Sequence, residues 1–239
     1  MTRPCFHFIT LFPETIETWL TCSILGRAHK SKLFDFKTYQ LRSFSTDKHL
    51  NVDDVAYGGG GGMVLRIEPL SRAVESIWND VGRESCRVVY FSPVGKRINH
   101  QLVKEWAQTG QTQHFIFICG HYEGVDQRFI DHWVDEEISL GDFVLTGGEL
   151  PAVAMADAMI RQLEGTLDSA NRTKEESFSL SSGNRPLLEY PHYTRPAEYL
   201  GYKVPDILLS GNHEKIEQWR LEQAKKRTAT KRPDLFDLN

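Results

Sequence analysis

The chain is poor in cysteine, has no long apolar run and carries little net charge. Its four cysteines, Cys5, Cys22, Cys86 and Cys119, show neither a CxxC pair nor a disulfide-framework spacing. That excludes a small disulfide-stapled scaffold. Three of them lie in or beside apolar strand-like runs and are expected to be buried, reduced thiols. No apolar run reaches membrane-spanning length and no leader-like segment precedes the first strand, so a cytoplasmic protein with no membrane partner is expected. The Asn171–Thr173 glycosylation match is therefore chance. A formal net charge of −4 gives no global pull toward nucleic acid, and any such binding must use a local patch.

Several motifs are also missing. No GxGxxG with an acid about 20 residues further on follows the first strand, which argues against a nicotinamide-dependent dehydrogenase. Five consecutive glycines, Gly58 to Gly62, suggest a phosphate cradle, but no Gly-Lys-Ser/Thr follows and a P-loop is rejected. His121 and His132 accompany the acids Asp131, Asp135, Glu136 and Glu137 without zincin or EF-hand spacing, so no metal site is expected.

Two glycine-bearing loops dominate what is present. Phe115 to Ile118 reads as a strand entering Gly120 and Gly124, and Phe143 to Leu145 as a strand entering Gly147 and Gly148. Glu149, Leu150 and Pro151 then suit a helix first turn. Glycine permits close approach of backbone to a ligand, and a helix start offers unpaired N–H groups, so a pocket for a nucleoside-like cofactor is expected. Strands at 6–10, 88–91, 115–119 and 138–140 alternate with helices at 13–19, 101–108 and 150–163, the last capped by Gly165. This pattern predicts an α/β fold with a mostly parallel sheet covered on both faces.

The texture changes after Gly165. The polar, Ser-rich stretch to Pro186 reads as a mobile linker. A helix from Asn212, its N-cap, to Thr228 follows, with Ile216, Trp219 and Ala224 facing inward. Arg220, Lys225, Lys226, Arg227, Lys231 and Arg232 crowd its end against one acid, Glu222. Such a cluster is either a solvated helix end or a phosphate-contacting patch.

An ordered set of motifs spans nearly the whole chain. It comprises Ile9 to Pro13, Gly26 to Ala28, Val52 to Asp54, Tyr57 to Gly60, Gly62 with Met63, and Ser92 to Gly95. It continues with Gly120, Tyr122 to Gly124, Gly141 to Pro151 (GDFVLTGGELP), Pro191 to Pro196, Ser210 with Gly211, Trp219 to Leu221, and Arg232 with Pro233. On these the chain resembles the bacterial tRNA (guanine-N1)-methyltransferases of the TrmD type, members of the SPOUT class. The resemblance implies a trefoil knot in the last part of the sheet, although true knots are otherwise nearly absent from proteins. It implies a knotted domain over 1–165, a flexible linker over 166–188 and a small, mainly helical tRNA-binding domain over 189–239. It also implies a homodimer in which each site joins the knot of one subunit to the linker and C-terminal domain of the other.

The same resemblance places S-adenosylmethionine in three loops: Ser92 to Gly95 with Pro93, Gly120 to Gly124 with Tyr122 and Glu123, and Leu140 to Gly148. Leu140, Phe143, Leu145 and Pro151 would wall the adenine, with Gly141, Asp142, Val144, Gly147 and Gly148 completing the third loop. It leaves room for a transient Mg²⁺ near the acids and the cofactor carboxylate. Methylation of guanine N1 needs a base to take the N1 proton and a cation to meet charge developing on O6. In the family these are a linker aspartate and an arginine after the knot. The arginine maps onto Arg161, which could equally form an i,i+4 ion pair with Asp157.

The chain departs from the family at the base. The usual Glu-Glu-Asp-Ser-Phe is here Lys174 to Phe178 (KEESF), so the aspartate position holds Glu176, and a second family acid maps onto Glu189 beyond a longer linker. Gly61 stands where proline is frequent, and His121 replaces a frequent arginine. The implied function is S-adenosylmethionine-dependent N1-methylation of the guanosine at tRNA position 37, just 3′ of the anticodon. Two alternatives stay open: methylation of another RNA target on the same scaffold, and a non-catalytic RNA-binding protein that has lost its base.

Overall fold

The computed structural model describes residues 3–108, 113–167, 175–183 and 185–236. The chain divides into two compact units, Met1–Asp168 and Ser169–Asn239. The first begins with β1 (Cys5–Thr10), α1 (Pro13–Leu20), α2 (Ser23–Lys30) and β2 (Asp35–Gln40). A short hairpin of β3 (Asp53–Val55) and β4 (Met63–Leu65) leads into α3 (Ile67–Val81). Then follow β5 (Cys86–Arg97), α4 (His100–Gln108), β6 (His114–Ile118), α5 (Gln127–Trp133), β7 (Glu136–Ser139) and α6 (Glu149–Ile160).

Five strands form one sheet in the order β2-β1-β6-β5-β7, and every pairing is parallel. Both faces are buried, as continuous apolar strands require. Phe6, Phe8, Phe115 and Phe117 point to one face, packed with residues of α1, α2, α4 and α6 such as Ile16, Leu25, Trp106 and Met155. Ile9, Val88, Ile116 and Ile118 point to the other, beneath Leu70, Val74 and Ile77 of α3 and Phe129 of α5. Helix α3, absent from the sequence expectations, does carry the core-facing spacing: Leu70, Ala73, Val74 and Ile77 are all buried. Cys5, Cys86 and Cys119 are buried free thiols, and Cys22 is an exposed one.

The structure departs from three of these expectations. Phe143 to Leu145 is no strand: these side chains are exposed on a loop, and the strand in this region is β7, whose Ile138 and Ser139 are buried. Three consecutive apolar residues gave no periodicity to separate a strand from a pocket wall. Helix α6 ends at Ile160 with Arg161 as its cap, short of the expected Leu163 and its Gly165 cap, and the Thr166 hydroxyl donates to the freed Ile160 carbonyl (2.8 Å). Finally, Ser92 to Gly95 lies inside β5 rather than beyond it. Ile138 pairs with both Phe91 and Lys96, so the segment between them bulges from the ladder while the strand resumes.

The second unit contains β8 (Ser181–Ser182) paired with β9 (Arg185–Pro186), β10 (Glu198–Tyr199) paired with β11 (Tyr202–Lys203), α7 (Asp206–Leu209) and α8 (His213–Lys231). Of the expected linker, residues 168–174 and 184 lie outside the described residues. Its remainder is organised. The Leu187 N–H donates to the Leu180 carbonyl at 2.8 Å, and Leu187 is buried with Tyr190 and Ala224 in a small core. Asn212 caps α8, its side-chain oxygen accepting from the Lys215 N–H at 3.2 Å. No helix among the described residues is long and apolar enough to cross a membrane.

Gly95 is where the bulge meets its neighbour. A Cβ there would lie 2.4 Å from the Ile138 nitrogen and 2.5 Å from the Glu137 carbonyl carbon, both fixed backbone. Gly95→Ala must therefore push β5 and β7 apart. We expect a loss of about 1–3 kcal/mol in denaturant-unfolding stability, against a negligible change for Gly61→Ala, where an added Cβ meets nothing within 4 Å.

Candidate functional site

Parallel strands deliver their loops to one edge, and here the bulge within β5 and the loops at the carboxyl ends of β6 and β7 gather there. Together the loops enclose a cavity of about 220 Å³. From β5 come Ser92 and Pro93; from β6, Gly120, Tyr122, Glu123 and Gly124; from β7, Leu140, Gly141 and Phe143 through Gly148, with Pro151 from α6 behind them. Every residue expected to bind cofactor lines this cavity except Asp142. Its carboxylate instead faces Arg97 at 3.3 Å and is largely exposed. Tyr90, Phe91, Ile138 and Ser139, outside the three expected loops, also line it, as do His121 and Thr146 within them, which were not singled out.

The cavity is braced by main chain. His121 forms an isolated antiparallel bridge with Gly147, and the Gly148 N–H donates to the Gly120 carbonyl at 2.9 Å. Gly148 must be glycine, since a Cβ would lie 2.7 Å from the Cys119 Cα and the Gly120 nitrogen. The glycine-rich hairpin buttresses the same loop, with the Glu123 N–H donating to the Met63 carbonyl and Leu65 to Gly124, both at 2.9 Å. Tyr122 is held at φ 61°, a left-handed conformation that costs a non-glycine residue energy and clusters at functional sites. Phe143, Val144 and Leu145 stay exposed on the rim at 54%, 84% and 38%. A run of uncovered apolar side chains around a concavity is what a ligand pocket presents.

Beneath the loops lies a buried polar group. The Glu149 carboxylate accepts from the Thr10 hydroxyl at 2.6 Å and from His121 Nε2 at 2.8 Å. A carboxylate only accepts, so Nε2 carries the proton. His121 thus donates into this acid. Burial raises the Cys119 thiol well above its ordinary value, with Glu149 adding to the shift, and raises the Tyr90 phenol to about 12.

Arg161 sits at the far end of α6. It lines a second hollow of about 440 Å³ with Trp19, Leu150, Val153 and Asp157. Burial raises the Asp157 carboxyl, while a hydrogen bond from Trp19 and the Arg161 charge pull it back down. In the second unit, the Glu176 carbonyl accepts from the Ser179 and Leu180 N–H groups and anchors a turn. The Glu189 carboxylate pairs with His192 at 2.9 Å. On α8, Lys225, Lys226 and Arg227 are exposed, whereas Arg220 is half-buried and stacks over the Tyr190 ring at 4.8 Å.

The fold and cavity define a parallel α/β protein with a loop-lined cavity at the carboxyl edge of its sheet. Comparison with known proteins narrows this class. The tRNA (Guanine-1)-methyltransferase TrmD family matches residues 5–238, and the chain belongs to that family. The tRNA (guanine-N(1)-)-methyltransferase of Brevibacillus brevis is 50% identical over 228 residues, covering 95% of this chain and 89% of the relative. That of Bacillus pumilus is 49% identical over 96% of this chain and 91% of its own. The crystal structure of tRNA (m1G37) methyltransferase from Aquifex aeolicus superposes with a TM-score of 0.77 at 38% identity, covering 98% of this chain and 95% of that one.

Removing the acid beneath the loops tests the bracing. Glu149→Ala strands the Thr10 hydroxyl and the His121 N–H in a dry site, and we expect about 1–3 kcal/mol of lost stability by chemical denaturation. Glu149→Gln, which still accepts, should lose less.

Proposed function

We propose that this chain transfers a methyl group from S-adenosylmethionine to N1 of the guanosine at tRNA position 37. The observation that carries the reading is the loop cavity of β5, β6 and β7, in a chain of the tRNA (guanine-1)-methyltransferase family. Its residues suit the cofactor. Leu140, Phe143, Leu145 and Pro151 offer apolar walls to an adenine, while backbone at Gly120 and Gly141 offers donors and acceptors to its edge and to the ribose. When bound, the cofactor supplies a methyl already activated on sulfonium.

The chain's own residues then have two tasks. Guanine N1 holds a proton at neutral pH, and we assign its removal to the Glu176 carboxylate. Loss of that proton builds charge on O6, which we assign to the Arg161 guanidinium, positioned with Asp157 beside it. Glu189 is the alternative base, although its carboxylate is engaged with His192. Tyr122, Glu123 and the other loop residues bind and orient. Asp142, turned toward Arg97, is left out of the binding set.

The two registers of β5 against β7, on either side of the Ser92–Gly95 bulge, and the seating of Gly148 on the β6 loop support the trefoil knot. Exposed Trp19 and Leu150 around the Arg161 hollow support a homodimer. The exposed basic end of α8 supports tRNA contact. Mg²⁺ near the pocket acids, and a cytoplasmic setting, complete the proposal.

The test is single-turnover methylation of a tRNA transcript with labelled S-adenosylmethionine. Glu176→Gln should lose roughly 10²–10⁴-fold in rate while cofactor and tRNA still bind, because an amide cannot take the proton. Glu176→Asp reads the longer arm: a slower aspartate enzyme means the backbone has adapted to glutamate. A near-normal Glu176→Gln beside a dead Glu189→Gln would move the base to Glu189. Absence of transfer by the wild type, with tRNA bound, would favour the non-catalytic alternative.

A second measurement concerns the tRNA surface. Charge reversal at Lys225, Lys226 and Arg227 should weaken tRNA binding and flatten its salt dependence by about one unit of log–log slope for each phosphate no longer neutralised. Cofactor affinity, read by calorimetry, should not move. An unaltered slope would make the helix end a solvated face.

A further inference from the structure

The opposite, amino-terminal edge of the sheet carries a group of reactive side chains that methyl transfer does not use. Cys5 and His7 lie two apart on β1 and so share a face. His114 opens β6 in direct register with Cys5. The Cys5 sulfur and one ring nitrogen from each histidine all lie within 4.8 Å of one another. His7 Nε2 and His114 Nδ1 are already 2.9 Å apart, and His7 Nδ1 meets the Tyr39 hydroxyl at 3.0 Å. The length of β6 separates the group from the loop cavity, roughly 13 Å at about 3.3 Å per residue.

We propose that Cys5, His7 and His114 bind one divalent cation of the zinc class. A thiolate with two imidazoles is a donor set that zinc or cobalt favours and that magnesium or calcium, which want oxygen, does not. Bonds of about 2.0–2.3 Å to a central ion put tetrahedral ligands roughly 3.3–3.8 Å apart. The group needs to contract by about 1 Å at its widest, and the two histidines to part slightly, which side-chain rotation supplies. The Tyr39 hydroxyl supplies the outer contact that fixes a ligating imidazole, and a fourth position falls to solvent. His114 is only half-buried, which gives the ion an entry path.

The surrounding charges fit this reading. Burial, then the neighbouring His114 and Lys37, drive His7 down to about 3, so its ring is neutral with a lone pair to give. Burial likewise lowers His114. Burial, then Asp35, push the Cys5 thiol up to about 11. Lys37 and Arg3 pull the thiol back only in part, and a dication bound directly to sulfur supplies the missing positive charge while releasing the thiol proton. Asp35 is paired with Arg3 beside the group, and Lys37 is the cation facing it from β2. Cys86 is also in register with His114, but its sulfur donates to the Gly82 carbonyl at 3.2 Å and is held aside.

The test uses the full chain, freed of metal by chelation, with cobalt(II) as the probe. The expected result is saturation at one equivalent, with a near-ultraviolet thiolate-to-cobalt band that zinc abolishes. Calorimetry in buffers of different ionisation enthalpy should register release of about one proton per ion. Cys5→Ser should lose the band, and His114→Gln should weaken binding beyond the roughly 10–100-fold that even an outer partner costs. Cys22→Ser, at an exposed thiol elsewhere, should change neither. Circular dichroism checks each fold, and should Cys5→Ser not fold, His114→Gln at its half-buried position decides. No saturable binding by the wild type, a band that survives Cys5→Ser, a band lost with Cys22→Ser, or unaltered affinity in His114→Gln would each overturn the site.

Discussion

Contact of main chain with main chain at the carboxyl edge of the sheet is the constraint on which the rest depends. Gly95 lets β5 pass against the backbone of Glu137 and Ile138, and Gly148 lets the start of α6 rest on Cys119 and Gly120. No side chain could occupy either gap. The loops of β5, β6 and β7 are thereby drawn around one cavity, and its shape is set by parts of the chain that cannot rotate away. A site built from backbone in this manner is preorganised before any ligand arrives.

The polar floor under those loops follows from the same closeness. Bringing Thr10, His121 and Glu149 together from β1, the β6 loop and α6 buries a carboxylate, which is tolerable only because its oxygens receive the Thr10 hydroxyl and the His121 N–H. This position needs a donor to Glu149, and the imidazole N–H of His121 is one. At the opposite end of the strands, the same sheet stacks Cys5, His7 and His114 with no comparable acid to receive them. One edge joins its polar groups through a carboxylate, while the other joins imidazoles to each other and to the Tyr39 hydroxyl.

Much of this was legible in the sequence, and its limits are physical. The glycines at 120, 124, 147 and 148 announced a close approach of chain segments, which Gly148 makes against the backbone of Cys119 and Gly120, and the apolar runs of β1, β5 and β6 announced a buried parallel sheet. Asn212 announced the start of α8 because an N-cap is a local hydrogen bond. Phe143 to Leu145 misled, since an apolar run signals burial of some kind without saying whether another strand or a ligand covers it. The direction of the Asp142 side chain, toward Arg97, was not legible either, because it depends on the local path of the loop, which composition does not reveal.

What the sequence determined by itself, then, was whatever is written in local chemistry: the α/β pattern, the glycine loops, the capped basic helix and, through its ordered motifs, the family. What the tertiary structure alone decided was which distant residues meet. His7 and His114 are 107 positions apart, and Thr10 and Glu149 are 139 apart. No spacing rule links such pairs, because their contact is made by strand order and register in a parallel sheet, where crossover helices carry neighbouring strands far apart along the chain.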